Sequence, residues 1–459
     1  MDGASAERQA QASLPSSGRR IGSTSLRREE TSSVTGVAGE AVPFPLGSAL
    51  TSMTNSKNAA SATALTPTFS QWRAALDRPI LSLDGIRGLA ILAVLAHQLI
   101  IDRSLNSRRL SLLLVPLQAG WIGVQLFFVL SGFLITGILL DTRSADNRWS
   151  TFFMRRSLRI FPPYYFLLAV MFWVAPVFLR LPRDVLIELP HQSWYWLYLA
   201  NWTFAGSGGI GPLGHCWSLS LEEQFYLIWP PVVFMLKERR LIWVCLITAG
   251  SALVVRTCLV LAGTNREIVY EFTFARMDAL TIGALTAIVV RRQDLLIRVL
   301  AHLPRLKWLV TVAMSVVALI SGGFSRVNGV TLTLGHSVLA VSSACLILIA
   351  VEDTVRGSGR AGSILARAPL RLFGKHSYAI YLFHLPLHIA TYRLLFAAKV
   401  GEMGTVMYLC VQTAYFAVGG ALLLGVALFF HRIVERPVLN LKRFFVARRP
   451  STRSLMPAD

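Results

Sequence analysis

Long uninterrupted apolar runs constrain this chain more than any other feature. They fall at 84–101, 118–140, 160–179, 218–236, 241–262, 272–290, 308–323, 332–351, 376–396 and 405–430. A helix of about 20 apolar residues is what a hydrocarbon core of roughly 30 Å requires. A soluble domain instead spreads its apolar residues at helical or strand spacing and keeps about a quarter of its positions charged. Here hydrophobic residues make up 54% and charged residues 15% of 459 positions. The expected fold is an all-α integral membrane protein, a bundle of about ten transmembrane helices. The run Trp194-Tyr195-Trp196-Leu197-Tyr198-Leu199-Ala200-Asn201-Trp202 is also apolar. It is short and rich in rings that favour the headgroup level, so it reads as an additional interfacial or re-entrant segment.

The formal net charge of +21 speaks to topology rather than to nucleic acid, because the basic residues sit at the ends of apolar runs and form no basic face on a soluble domain. With the aromatic segment not crossing, the loops 141–159, 237–240, 291–307 and 352–375 and the stretch after 431 share one side and hold 25 Lys and Arg. The opposite loops 102–117, 180–217, 263–271, 324–331 and 397–404 hold 8. Such a bias marks the cytoplasmic side, and both termini are expected there. Residues 1–75, rich in Ser, Ala, Thr and Gly, read as a disordered cytoplasmic tail, and 441–459 as a basic one. A transit peptide is the alternative for the N-terminal stretch, but Glu7, Glu29, Glu30 and Glu40 weigh against an acid-poor presequence. The five cysteines form no CxxC, which indicates neither a disulfide framework nor a zinc site.

Ionisable groups in membrane helices cost about 2.5–3.5 kcal/mol each at mid-bilayer, so each is a functional candidate. The first span carries Asp84, Arg87 and His97; the loop before the third carries Arg155, Arg156 and Arg159; the fourth opens with Glu222, Glu223 and Tyr226; the sixth holds Arg276 and Asp278; the ninth holds Tyr381 and His384. Structural readings compete. The three loop arginines serve equally as inner-face anchors, Arg276 and Asp278 as a structural pair, Glu222 and Glu223 as solvated groups near the outer interface, and His384 as a bond to the helix broken by Pro386. His384 and His388 stand four apart, but Pro386 breaks their shared face and no metal is expected. His97 lies deep in a short apolar helix, where a neutral imidazole can accept a proton from a hydroxyl and return it.

Seven segments in order carry a resemblance: Asp84-Gly85-Ile86-Arg87-Gly88, Phe128-Val129-Leu130-Ser131-Gly132-Phe133-Leu134-Ile135, Arg156 to Arg159 with Pro162 and Tyr164, Trp217-Ser218-Leu219-Ser220-Leu221-Glu222-Glu223-Gln224-Phe225-Tyr226, Arg276-Met277-Asp278, Ser377-Tyr378 through His384, and Glu435-Arg436-Pro437. Together they resemble the acyltransferase-3 family of membrane O-acyltransferases, over about 355 residues. The resemblance implies a membrane acyltransferase domain over 76–440 in the plasma (inner) membrane. It implies transfer of an acyl group, commonly acetyl, from acyl-CoA to a hydroxyl of a carbohydrate or glycolipid. CoA would be a donor substrate rather than a tightly bound cofactor, held by Arg87, Arg156 and Arg159. His97 would be the catalytic base, Glu222 near the outer mouth would orient the histidine or bind the sugar, and Asp84, Tyr226, Arg276, Asp278, Tyr381 and His384 would line the substrate site. The expected arrangement is a single continuous cavity.

One departure stands out. The family usually places ten residues between the first-helix Arg and His, whereas nine lie between Arg87 and His97. At 100° per residue an offset of eleven returns to within about 20° of the same face, while an offset of ten lands about 80° away. Either a helix irregularity restores the alignment or the two groups point to different compartments. A transporter or flippase is the rival class, since buried Arg, Asp, Glu and His also mark substrate pathways, although no internal symmetry of the kind common in transporters is evident.

Overall fold

The computed structural model describes residues 67–101, 115–178, 189–203, 211–396 and 404–448, and every regular element among them is helical. The predicted tail 1–75 falls mostly outside the described residues. Its last part does not: Phe69–Leu76 is a helix (α1), started by a capping box in which Thr68 accepts from the Gln71 N–H, with Trp72 buried. Residues 449–459 of the predicted basic tail also lie outside the described residues, whereas 445–448 run along the loop before the third span, taking hydrogen bonds from Asn147 and Arg155.

The long helices follow the apolar runs, as they must where no water can satisfy backbone N–H and C=O groups. They are α2 (Leu81–Gln98), α3 (Ile122–Asp141), α4 (Arg148–Ala169, continued through a π turn to Phe178), α5 (Cys216–Met235), α6 (Glu238–Leu261), then short α7 (Arg266–Glu271) leading into α8 (Thr273–Val289). α9 (Gln293–Ser321), α10 (His336–Arg356), the short α11 (Arg360–Leu365) and α12 (Ala368–Lys375), α13 (Ser377–Phe396) and α14 (Thr405–Phe430) follow. Two helices begin well before their apolar runs. α4 starts at Arg148 rather than near 160, and α9 at Gln293 rather than near 308. Their opening stretches are interrupted by charged residues, Arg148, Arg155, Arg156 and Arg159 in α4 and Asp294, Arg298, Arg305 and Lys307 in α9, so hydropathy alone misses them. Among the described residues seven helices are long and apolar enough to cross a membrane, eight if the pair α1–α2, bent by 60°, is one span. These features fit a multi-pass integral membrane protein.

Burial separates centre from rim. The apolar stretch of α3 is 72% buried, against 17% for α6 and 11% for α9. Trp243, Ile247 and Val254 of α6 and Trp308, Leu319 and Ile320 of α9 are exposed, apolar faces of a size that soluble monomers do not show. The aromatic run forms one helical turn at Gln192–Trp196 and a 3-10 turn at Ala200–Trp202. It is pinned to α4 by the Tyr164 and Tyr165 hydroxyls, which donate to the Tyr195 and Trp196 carbonyls at 2.8 and 3.2 Å.

Two close backbone approaches set the core. Gly85 and Gly88 of α2 lie against the Leu365 and Leu370 carbonyls, so the α11–α12 segment rests directly on the first span. Gly132 of α3 faces the Leu280 carbonyl of α8 while Gly283 of α8 faces the Val129 carbonyl of α3. A methyl group at any of these four positions would overlap backbone that cannot give way. Gly132→Ala is therefore expected to cost about 1–3 kcal/mol, read as a lower unfolding temperature of the detergent-solubilised protein. Gly250→Ala, where the added methyl meets nothing, should not lower it.

Candidate active site

On α2 the two packing glycines and Arg87 occupy different faces: at 100° per residue Arg87 sits about 130° from their mean direction. It thus turns away from α12 and into a cavity of about 100 Å³. Arg156 and Arg159, three apart on α4, enter the same cavity, together with Ser131 of α3, Glu222 and Glu223 of α5 and Tyr378 of α13. Arg155, one residue off that face, leaves it and donates to the Phe445 carbonyl at 3.1 Å.

The cavity is ordered by a small network. Glu222 accepts from the Ser131 hydroxyl at 2.8 Å and from the Tyr226 hydroxyl at 2.9 Å. The Arg156 guanidinium lies 3.8 Å over the Tyr226 ring, a cation–π contact. Arg87 pairs with Asp84 at 3.1 Å. Among the described residues Arg156 and Arg159 make no salt bridge. Two half-buried guanidiniums without an ion partner, facing open space, are able to accept an anion, and their planar forks suit phosphate oxygens. The placement of Glu222 corrects one expectation: it lines the arginine cavity, held there by Ser131 and Tyr226, and does not line the cavity that holds His97.

His97 is buried at the far end of α2 and lines a second cavity, of about 390 Å³. α2 contains no bulge between Leu81 and Gln98, so the ten-residue offset keeps its 80° rotation and adds about 15 Å of rise. Arg87 and His97 open into different compartments, and the expected single cavity is two. Val124 and Tyr381 line both. The Tyr381 hydroxyl is 2.6 Å from that of Ser218.

Other residues behind these walls were read less well. Arg276 and Asp278 line neither cavity and do not pair with each other. Arg276 contacts His336 and is ringed by Phe128, Trp217 and Tyr270. Asp278 pairs instead with Arg256 of α6 at 2.8 Å and accepts from Ser337 at 3.0 Å. Two residues apart on a helix point about 200° apart, which excludes the expected Arg276–Asp278 contact. His384 also lines neither cavity, and its Nδ1 bonds the Tyr381 carbonyl at 2.5 Å. Pro386 has no N–H and so frees the Leu382 carbonyl four residues back. His215, which the sequence reading did not single out, takes that carbonyl through Nε2 at 3.0 Å. Ser131, Glu223 and Tyr378 stood inside recognised motifs without an assigned role; Glu267, Glu271 and Arg326 carried no signal beyond being charges beside a span.

A family described as an acyltransferase domain matches residues 80–431, and the chain belongs to that family. It is 28% identical over 326 residues to the O-acetyltransferase OatA of Staphylococcus aureus (strain NCTC 8325 / PS 47), a match covering 66% of this chain and 50% of that protein. It is 29% identical over 329 residues to the peptidoglycan O-acetyltransferase OatA of Listeria monocytogenes serovar 1/2a, covering 67% of this chain and 49% of that one. The chain thus spans about half the length of these curated relatives. No solved structure matches it significantly.

The buried Arg256–Asp278 pair supplies a stability test. Removing one partner leaves an uncompensated charge, so Asp278→Asn should destabilise the protein by about 3–5 kcal/mol. Combined with Arg256→Met, the loss should be smaller than for Asp278→Asn alone, as measured by thermal unfolding in detergent.

Proposed function

We propose that the protein is a multi-pass membrane O-acetyltransferase that takes acetyl from acetyl-CoA on its basic side and delivers it to a carbohydrate hydroxyl on the other. The observation that carries this reading is the pair of cavities within one bundle: arginines in the first, His97 in the second, and Val124 and Tyr381 common to both. The acetyltransferase names of the relatives support the same chemistry. Ten crossings accommodate it. α2, α5 and α13, of 18, 20 and 20 residues, join the seven more apolar spans, and they are the helices that carry Asp84 and Arg87, Glu222 and Glu223, and Tyr381 and His384. With the basic loops inside, both termini are cytoplasmic and the membrane is the plasma membrane.

In this reading Arg87, Arg156 and Arg159 hold the CoA phosphates and the slender pantetheine arm carries the thioester toward Tyr381. The acceptor occupies the larger cavity. Its hydroxyl oxygen attacks the thioester carbonyl as His97 takes the proton; the C–O bond forms, the C–S bond breaks, and CoA leaves as the thiolate that the proton finally reaches. Glu222 balances the arginine cluster and fixes Ser131 and Tyr226, while Asp84 orients Arg87.

The test is acetyl transfer from labelled acetyl-CoA to a soluble glycan by purified protein in liposomes. His97→Ala should lower kcat by about 10²–10⁴, the usual worth of a positioned general base, while the protein elutes and unfolds as wild type. Arg159→Gln should raise KM for acetyl-CoA and leave kcat nearly unchanged, as for a group that binds ground state and transition state alike. Full activity in both variants, or movement of intact glycan without acetylation, would overturn the reading.

A further inference from the structure

The larger cavity carries a charge pattern that the transfer chemistry does not use. Its volume of about 390 Å³ lies within the range of small-ligand sites. Trp121, Trp217 and Tyr270 contribute ring surface, the flat apolar contact that the C–H face of a pyranose offers a partner. Beside them the short helix α7 sets Glu267 and Glu271 four residues apart, on one face. Arg326 neutralises Glu267 at 2.6 Å and lies 5.1 Å from the Tyr270 ring centroid. Glu271 lines the same cavity half-buried, and among the described residues its carboxylate makes no ion pair or hydrogen bond. His215, only 4% exposed, also lines the cavity, with Nε2 taken by the Leu382 carbonyl.

We infer that this cavity selects a sugar unit that is uncharged or bears an amine, and that Glu271 is the selecting group, accepting hydroxyl or ammonium hydrogen bonds from it. This rests on the acceptor lying in the cavity of His97. Burial and neighbouring Glu267 push the Glu271 carboxyl up to about 8. With Glu271 in its ionised form, a carboxylate- or phosphate-bearing unit would bring like charge against it, and like charges at short range in a sheltered site repel strongly. Among the described residues Arg326 is the one guanidinium lining the cavity, and it is already engaged by Glu267. Among the described residues the other ionisable groups facing the space are the imidazoles of His97, His215 and His388, the last with Nδ1 2.9 Å from the Tyr415 hydroxyl, and the phenols of Tyr270, Tyr381 and Tyr392.

Equilibrium binding to the full-length solubilised protein, without acetyl-CoA, tests this independently of transfer. The probes are an oligomer of glucosamine, its N-acetylated counterpart and a glucuronate-containing oligomer of equal length. The first two should bind wild type at least about tenfold more tightly than the third. Glu271→Gln should weaken the amine-bearing oligomer about tenfold, equivalent to about 1.4 kcal/mol. Glu271→Lys should turn the preference toward glucuronate, a gain that misfolding cannot produce. Equal binding of all three oligomers, binding of none, or an unchanged order in both variants overturns the inference. If the order holds but no acetyl is transferred, the binding site stands and the transferase reading falls. If glucuronate oligomers are bound and acetylated as well as the others, the transferase stands and the selection falls.

Discussion

A guanidinium inside a membrane bundle must be answered by a partner or by an opening, and the whole arrangement of this protein follows from how its arginines are answered. Arg256 is closed off: buried, paired with Asp278, and supported by Ser337. Arg276 is likewise enclosed by His336 and three aromatic rings. Such groups are costly to leave unpaired and contribute to one defined packing of α6, α8 and α10. Arg156 and Arg159 are answered differently, by open space and by carboxylates already engaged or merely nearby. What distinguishes these two pairs of arginines is what surrounds each group, since the residue type is the same.

Backbone contact between the first span and the α11–α12 segment decides where the open charges go. Gly85 and Gly88 let carbonyl groups rest on α2, which fixes the rotation of that helix and leaves Arg87 on its other side. An unbroken α-helix then carries the rotation forward to His97, ten residues on, into a different cavity. Neighbouring Pro386 has an analogous long-range effect. By freeing the Leu382 carbonyl it provides the bond that holds His215, and His215 together with Ser218 borders Tyr381, where the two cavities adjoin.

The helices themselves were legible from apolar run length to within a few residues for α5, α6, α8, α13 and α14, because lipid-embedded backbone has few alternatives to a helix. The starts of α4 and α9 were not, since charged residues interrupt their opening stretches and leave no apolar run of spanning length there. The arginine cluster was legible as well: Arg87 lies in a recognisable motif, and the three-residue spacing of Arg156 and Arg159 places both on one helical face. Glu222 was found but misplaced, because depth along a helix says nothing about which neighbour its side chain meets. His215 and Glu271 went unnoticed because a single imidazole or carboxylate beside a span looks like many others until its surroundings are known.

Residue order alone determined that this chain is a membrane bundle, which face is basic, and which polar groups have to be accommodated inside it. Those conclusions depend on local quantities, hydrophobic length and helical periodicity, that can be read along one dimension. Only the tertiary structure decided that Asp278 belongs to Arg256, that Glu222 belongs to the arginines, and that Arg87 and His97 face separate cavities. Each of these is a relation between helices distant in the chain, and its outcome rests on how each helix is rotated about its own axis by backbone contacts made elsewhere.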